Sequence, residues 1–280
     1  MDSDVSTDTT TRRAGTPPTS EKFWDFQPPW SDWPLSPSGE WQVAGPWYGT
    51  HDTFFHPDNA ELTEESEDET EGYLCLTVQG TGPDGRPEGA ELEAIGDGDS
   101  DGYSDEYSYG YYETRMRVPT GPGVYSFYWI ARGGVGSYGP GEIDIEFVTA
   151  GTRGNADQWG ESEGYVWFVL HPHGTLHEQR LEFNPAADFH RYGFLWTPDA
   201  VTWTVDGEPV FTETDPPDEL TEPADGGDRG TTVMNAWVGD GNWGGATPPT
   251  EDKTAVYDYV WHIPNATQVP SVGPPGRESR

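Results

Sequence analysis

The sequence predicts an all-β protein built as a two-sheet antiparallel sandwich. Short runs rich in β-branched and aromatic residues recur along the chain, and Gly, Pro, Asp or Asn separate most of them. No segment shows the sustained periodicity of an amphipathic helix. The run VTWTVDGEPVFT predicts a hairpin that turns at Asp206 and Gly207, because Asp-Gly suits a tight turn. Many strands in a chain of 280 residues favour two packed sheets.

The sandwich is predicted to span residues 23–264 as a single domain. Residues 1–22 are rich in Thr, Ser and Pro and have few apolar positions, which predicts a disordered leader. Residues 265–280, NATQVPSVGPPGRESR, have the Pro and Gly content of a flexible C-terminal tail. All strands are therefore expected between these two ends.

Acidic residues dominate the charge of the chain. It has 50 Asp and Glu but only 14 Lys and Arg, for a net charge of −36. Such a field repels nucleic acid and anionic membranes, so a neutral ligand is the easier partner. The simplest explanation of the excess is solvation, most useful in concentrated salt where repulsion is screened. The single Cys75 excludes an intrachain disulfide, and no apolar run reaches membrane-spanning length.

The run GEIDIEF places three acids on one strand. Alternation puts Glu142, Asp144 and Glu146 on one face and the apolar residues between them on the other. Adjacent like charges destabilise a sheet, so this face needs an explanation. One explanation is that a salt-adapted protein carries acids wherever a strand meets solvent.

The other explanation is chemical. Glycoside hydrolysis uses two carboxyl groups, one ionised and one protonated, and crowding separates carboxyl pKa values. Residues four apart on a flat strand are roughly 13 Å apart at Cα, but long Glu side chains on a curved sheet can close much of that gap. The local pattern alone leaves both explanations open.

Several segments resemble the family 16 glycoside hydrolases, the group of bacterial lichenases, laminarinases and plant xyloglucan-modifying enzymes. EIDIEF is similar to the active-site strand of that family, and YGYYETRMRVPTGPGVYSFYWI resembles the two strands before it. FHRYGFLWTPDAVTWTVDGEPV, VMNAWVGDGNWGG and VYDYVWH resemble the later strands in the same order. The resemblance covers roughly residues 41–264.

The resemblance implies a concanavalin A-like β-jelly-roll with a concave substrate cleft. It places Glu142 as the nucleophile, Glu146 as the general acid/base and Asp144 as the assisting carboxylate of a retaining enzyme. The catalytic strand lacks the extra residue that forms a bulge in laminarinases and agarases, whereas VGDGNWGG is closer to laminarinases. The choice of substrate therefore stays open.

The resemblance also implies substrate-binding residues. Trp129 would form the floor of the subsite beside the nucleophile, and Trp237 matches a lichenase cleft Trp, although either could be a core Trp. His171, in HPHG, falls where lichenases place a Tyr and is expected to hydrogen-bond the ligand, unless it is a simple edge residue. A metal site at His171 and His173 lacks an obvious third ligand.

Two further positions carry expectations from the family. Glu91, in GAELEA, matches a sugar-binding Glu, but Glu93 replaces an Arg and Val169 replaces an Asn, which weakens a strict mixed-linkage specificity. Asp258, in VYDYV, matches a residue that helps bind a structural Ca²⁺, and oxygen ligands suit that ion. No cofactor is expected for the chemistry itself.

These observations predict a monomeric, retaining, endo-acting hydrolase of neutral β-1,3- or mixed β-1,3-1,4-glucans. The enzyme is expected to be secreted, although no export signal is visible in the chain. A transglycosylase on the same scaffold and a glycan-binding lectin are the alternatives. Binding alone has no need of three crowded acids, which disfavours the lectin.

Overall fold

The structure of the chain is a computed structural model. It describes residues 21–26, 41–48, 53–63, 72–83, 85–94, 108–134, 137–149, 163–172, 174–221, 230–239, 243 and 248–274. Nearly all of the regular structure in these ranges is β-strand. None of the helices in these ranges has the length and apolar character that a membrane crossing requires.

Two sheets account for the strands. In chain order the strands are β1 Lys22–Asp25, β2 Trp41–Val43, β3 Trp47–Tyr48, β4 Phe54–Phe55, β5 Ala60–Thr63, β6 Tyr73–Val78, β7 Glu88–Ala94, β8 Gly110–Arg117, β9 Val124–Gly134, β10 Ser137–Val148, β11 Gly164–His171, β12 Leu176–Leu181, β13 His190–Thr197, β14 Ala200–Val205, β15 Glu208–Glu213, β16 Gly230–Trp237 and β17 Lys253–Pro264. A short helix α1, Asp218–Thr221, precedes β16.

The first sheet has the order β15-β14-β13-β8-β17-β6-β5, with β1 added beside β17. The second sheet has the order β12-β11-β10-β9-β16-β7-β4-β3, with β2 added beside β7. Neighbours in both sheets pair antiparallel except β4 and β7. Their inward faces share one apolar core, which confirms the predicted all-β two-sheet sandwich.

Strand β10 lies inside the second sheet, between β9 and β11, and shows the predicted alternation. Ile143, Ile145 and Phe147 are fully buried in the core between the sheets. The three acids therefore face away from the core, on the outer face of the second sheet. Burial of three large apolar side chains fixes the register of β10, because a shift by one residue would exchange its two faces.

The predicted hairpin is confirmed. Val205 pairs with Glu208 across the turn between β14 and β15. Asp206 and Gly207 both have positive φ, at 52° and 82°. A two-residue turn with positive φ at both positions matches the right-handed twist of the strands it joins.

Trp129 faces the core, so its expected place on the floor of a subsite is wrong. It lies directly opposite Ile143 in the pairing of β9 with β10, and opposed residues share one face of a sheet. Its side chain is fully buried, and its ring centroid lies 4.4 Å from that of Trp196. Trp129 is thus part of the packing between the sheets.

The packed part of the chain extends beyond the predicted domain end. Residues 265–274, which the sequence assigns to a flexible tail, run along the outer face of the first sheet. Ala266 and Val269 pack there against the cluster of Tyr111, Leu195, Tyr259 and Trp261. The backbone N–H of Asn265 donates to the Tyr109 carbonyl at 2.9 Å. The predicted leader lies almost wholly outside the described residues, except that β1 begins at Lys22.

Trp129→Ala should lower the unfolding free energy by about 3–5 kcal/mol, because it leaves a large cavity in a close-packed core. Urea unfolding followed by circular dichroism measures this change. The exposed Val272 offers a matched control, and Val272→Ala should stay within about 0.5 kcal/mol of wild type. Equal stability of Trp129→Ala and wild type would contradict the core position.

Candidate active site

A cleft opens on the outer face of the second sheet, over β10. It has a volume of about 490 Å³, and both Glu142 and Glu146 line it. The rest of its lining comes from Ser126, Tyr128, Val169, His171, Leu176, Asn235, Trp237 and Trp243. These side chains come from β9, β11, β12, β16 and the segment after β16, so the cleft runs across the strands.

Asp144 lies between the two glutamates and is 3% exposed. Burial raises its pKa well above the ordinary value, and the negative charges of Glu142 and Glu146 raise it further. Asp144 therefore keeps its proton and donates it in a hydrogen bond to the Glu142 carboxylate, which lowers the pKa of Glu142. This shared proton reduces the repulsion within the triplet.

Glu146 retains a proton at neutral pH. Burial, followed by the negative charge of Glu142, raises its pKa to about 8. Hydrogen bonds from Trp243 and Ser126 act in the opposite direction, with Ser126 Oγ 3.5 Å from Glu146 Oε1. A carboxyl group with a raised pKa at the edge of a cleft is suited to general acid catalysis.

Glu142 ionises before Glu146. Burial raises the pKa of Glu142 above its ordinary value, and the charge of the His171 side chain and the hydrogen bond from Asp144 oppose part of that rise. The charge on Glu142 is in turn one cause of the raised pKa of Glu146. The site therefore pairs a carboxyl group that ionises first with one that keeps its proton longer, the difference that glycoside hydrolysis uses.

His171 reaches the cleft, as expected for a ligand-binding residue. It lies directly opposite Glu142 in the pairing of β10 with β11, and its side chain is 49% exposed. Its Nε2 is 3.7 Å from Asp144 Oδ2. Its hydrogen bond to a ligand stays a prediction. His173 lies outside the described residues.

Aromatic side chains form part of the cleft wall. Trp237 lines the cleft at the end of β16, and its contact with a sugar stays a prediction. Trp243 lines it too, and its ring stands edge-on to Trp167 with centroids 6.1 Å apart. Flat aromatic faces suit the C–H faces of sugar rings.

Five lining residues were not predicted from the sequence: Ser126, Tyr128, Leu176, Asn235 and Trp243. With Trp129 in the core, alternation places Ser126 and Tyr128, at odd offsets from it, on the cleft face. Asn235 is two residues before Trp237 and therefore shares its face. Trp243 lies outside any strand, so no periodicity indicates where its side chain lies.

Glu91 is not among the residues that line the cleft, so its expected direct contact with sugar is wrong. It is buried opposite Asn235 in the pairing of β7 with β16, on the same face of the sheet as the cleft. Its Oε2 accepts hydrogen bonds from Tyr128 Oη at 3.4 Å and from Asn235 Nδ2 at 3.5 Å. Glu91 therefore holds two cleft residues in place from beside them.

Asp258 is buried on β17, and its predicted part in a calcium site stays a prediction. Its Oδ2 accepts a hydrogen bond from Arg115 Nη1 at 2.7 Å. This ion pair joins β17 to β8.

The described residues contain one group of three or more Asp, Glu, His or Cys side chains whose ligand atoms lie close enough to share a metal ion. The group consists of Glu142, Asp144 and His171, with ligand atoms within 4.8 Å of one another. It belongs to the cleft and includes no residue near Asp258.

Glu142 and Glu146 differ in pKa and line one open cleft on a β-sandwich, which is the arrangement of a glycosidase site. Comparison with known sequences identifies the family. Residues 93–260 match the profile of glycosyl hydrolases family 16. This match covers more than half of the chain, so the chain belongs to that family. It includes all three acids.

The relatives in sequence include proteins named β-glucanase. A β-glucanase of Acetivibrio thermocellus is 31% identical over 176 residues, which are 60% of this chain and 48% of that protein. A β-glucanase of Bacillus subtilis (strain 168) is 30% identical over 159 residues, 55% of this chain and 58% of that protein. The chain thus matches about half the length of these relatives.

Solved structures share the fold. A β-1,3-1,4-glucanase (lichenase) from a mouse hindgut metagenome superposes with a TM-score of 0.62 at 26% identity, over 88% of this chain and 99% of that one. A β-glucanase of Bacillus licheniformis has a TM-score of 0.62 at 21% identity, over 87% and 97% of the two chains. These neighbours confirm the jelly-roll sandwich.

Glu146→Gln should change the pH dependence of stability. Unfolded Glu ionises near 4.5, whereas folded Glu146 keeps its proton to about 8. The folded state binds the extra proton, so wild type should lose stability relative to the variant as pH rises between these values. Urea unfolding at several pH values in this range measures the difference.

Glu208 provides the control for this comparison, because it is exposed on β15. The stability difference between Glu208→Gln and wild type should stay flat across the same range. A flat difference for Glu146→Gln as well would show that Glu146 does not hold a proton at neutral pH.

Proposed function

We propose that this protein is a retaining, endo-acting glycoside hydrolase that cleaves β-1,3- or mixed β-1,3-1,4-glucans. The observation that carries the proposal is the division of charge along β10. Glu142 and Glu146 line one cleft, and burial together with the charge of Glu142 keeps a proton on Glu146. One residue is therefore ready to attack and the other to donate a proton.

In the first step the Glu142 carboxylate attacks the anomeric carbon. The bond from that carbon to the leaving oxygen breaks, and the Glu146 proton passes to this oxygen. Glu142 is then esterified to the sugar, and its negative charge is gone. Glu146, now ionised, no longer faces a charged Glu142, which removes one cause of its raised pKa.

In the second step Glu146 acts as a base. It takes a proton from water while the water oxygen attacks the anomeric carbon, and the ester bond to Glu142 breaks. Two displacements at the same carbon retain its configuration. Asp144 assists in both steps by donating a hydrogen bond to the Glu142 oxygen that gains or loses charge.

Cleft composition supports a neutral glucan as the substrate. Trp237 and Trp243 offer aromatic faces for sugar rings, and Tyr128 and Asn235 offer hydrogen-bonding groups for hydroxyls. A net charge of −36 disfavours an anionic polymer. Relatives named β-glucanase and a neighbour described as a lichenase favour β-glucan linkages. His171 is assigned a hydrogen bond to the sugar beside Glu142.

A transglycosylase is the second candidate. A probable xyloglucan endotransglucosylase/hydrolase of Arabidopsis thaliana is 30% identical over 117 residues, 38% of this chain and 31% of that protein. Such an enzyme would use the same first step, and a sugar hydroxyl would replace water in the second. Product analysis at high concentrations of acceptor oligosaccharide separates the two activities.

The size of the substrate and the acidity of the chain indicate where the enzyme works. A polymeric glucan is too large to enter a cell intact, so we place the activity outside the cell. The acidic surface suits concentrated salt, where carboxylate repulsion is screened. We propose that the protein acts there as a monomer.

A panel of neutral polysaccharides tests this function. Wild type in high salt should release oligosaccharides from a β-1,3-glucan or a mixed-linkage β-glucan. Glu142→Gln should release none, because the amide cannot attack the anomeric carbon. Glu208→Gln, which changes an exposed acid on the far hairpin, should match wild type.

Chromatography of the products reports each outcome. Equal activity of Glu142→Gln and wild type would exclude Glu142 as the nucleophile. If no β-glucan is cleaved but one is bound, the protein is a lectin on the same sandwich.

A further inference from the structure

The cleft brings a nitrogen ligand next to two carboxylates. Strands β10 and β11 pair so that His171 stands directly opposite Glu142. Asp144 lies two residues further along the same face of β10, diagonal to His171. The ligand atoms of the three side chains all lie within 4.8 Å of one another. Each side chain is held by a strand inside the second sheet rather than by a loop.

The spacing of these atoms suits one shared ion. His171 Nε2 and Asp144 Oδ2 are 3.7 Å apart, longer than a hydrogen bond between nitrogen and oxygen. Two ligands held at about 2.0–2.2 Å in a tetrahedral zinc site lie about 3.4 Å from each other. A small inward movement of His171, whose side chain is half exposed, brings both atoms to bonding distance of one ion.

The ligand types in this group indicate which metal ion it would bind. One imidazole nitrogen with two carboxyl groups suits Zn²⁺ and similar divalent transition metals, whereas Mg²⁺ and Ca²⁺ favour all-oxygen ligands. Asp144 holds a proton in the free cleft, and the ion displaces that proton when it binds. Three protein ligands leave a fourth position for water. The net charge of −36 raises the local concentration of divalent cations, and the cleft gives an ion an open path to the group.

We propose that Glu142, Asp144 and His171 form a binding site for one divalent transition-metal ion, with Zn²⁺ as the favoured occupant. The bound ion occupies the Glu142 carboxylate, which attacks the sugar in the proposed mechanism. Metal ion and glucan therefore compete for the cleft. Metal binding is therefore inhibitory, and this consequence rests on the proposed function. Glu146, on the far side of Asp144, is not a member of this ligand group.

Calorimetric titration of the full chain with Zn²⁺, followed by EDTA, tests the site without any substrate. His171→Phe keeps a ring of similar shape but removes the nitrogen ligand. His190→Gln is the matched control, because His190 also pairs with a carboxylate, with Nδ1 2.9 Å from Asp206 Oδ2 near the far hairpin. All three proteins share the same remaining acidic residues, so the difference between variants isolates the cleft.

Wild type and His190→Gln should show a one-ion binding phase that EDTA reverses. His171→Phe should weaken this phase at least about tenfold, the scale on which metal sites lose affinity when their supporting groups are removed. Mg²⁺ at equal concentration should give no such phase. Identical Zn²⁺ isotherms for wild type and His171→Phe would overturn the proposal, and thermal melts verify that each variant is folded.

Kinetic measurements distinguish a failure of the proposed metal site from a failure of the proposed hydrolase function. With a cleaved glucan, Zn²⁺ should raise the apparent KM of wild type and leave kcat unchanged, as competition requires. Inhibition that is equally strong in His171→Phe would overturn the metal site while the hydrolase assignment stands. A His171-dependent isotherm in a protein that cleaves no glucan would support the site and refute the hydrolase.

Discussion

Crowding of three carboxyl groups on one face of β10 is the constraint on which the rest of the site depends. A strand normally avoids such a face, because like charges side by side weaken a sheet. Here the opposite face of β10 buries Ile143, Ile145 and Phe147 in the core. Apolar burial on one face therefore holds the acids in place on the other, and the sandwich stabilises an arrangement that the acids alone would oppose.

The crowding is relieved by protons and hydrogen bonds, and this relief produces the chemistry. Asp144 is so deeply buried that it stays protonated, and it then donates to Glu142. Charge collects on Glu142, and that charge helps to keep the proton on Glu146. Two glutamates of the same ordinary acidity acquire different roles because their neighbours differ. His171 adds to the asymmetry because it stands opposite Glu142.

Local periodicity was enough to predict the strands, the Asp206-Gly207 turn and the separation of acids from apolar residues on β10. Alternation along β9 also agrees with the position of Trp129 in the core, but the family resemblance placed its side chain in the cleft. Pairing between distant strands could not be derived in this way. Neither the Arg115–Asp258 ion pair nor the hydrogen bonds of Glu91 with Tyr128 and Asn235 have a local signal. Trp243 reaches the cleft from outside the strands, where no period applies.

The configuration of the first-formed product tests the central claim, namely that Glu142 attacks the sugar and Glu146 then activates water. Proton NMR during the first minutes of glucan hydrolysis distinguishes the two anomers before they equilibrate. Two successive displacements should yield the β-anomer first. Initial appearance of the α-anomer would mean a single displacement by water and would contradict the role of Glu142 as a nucleophile.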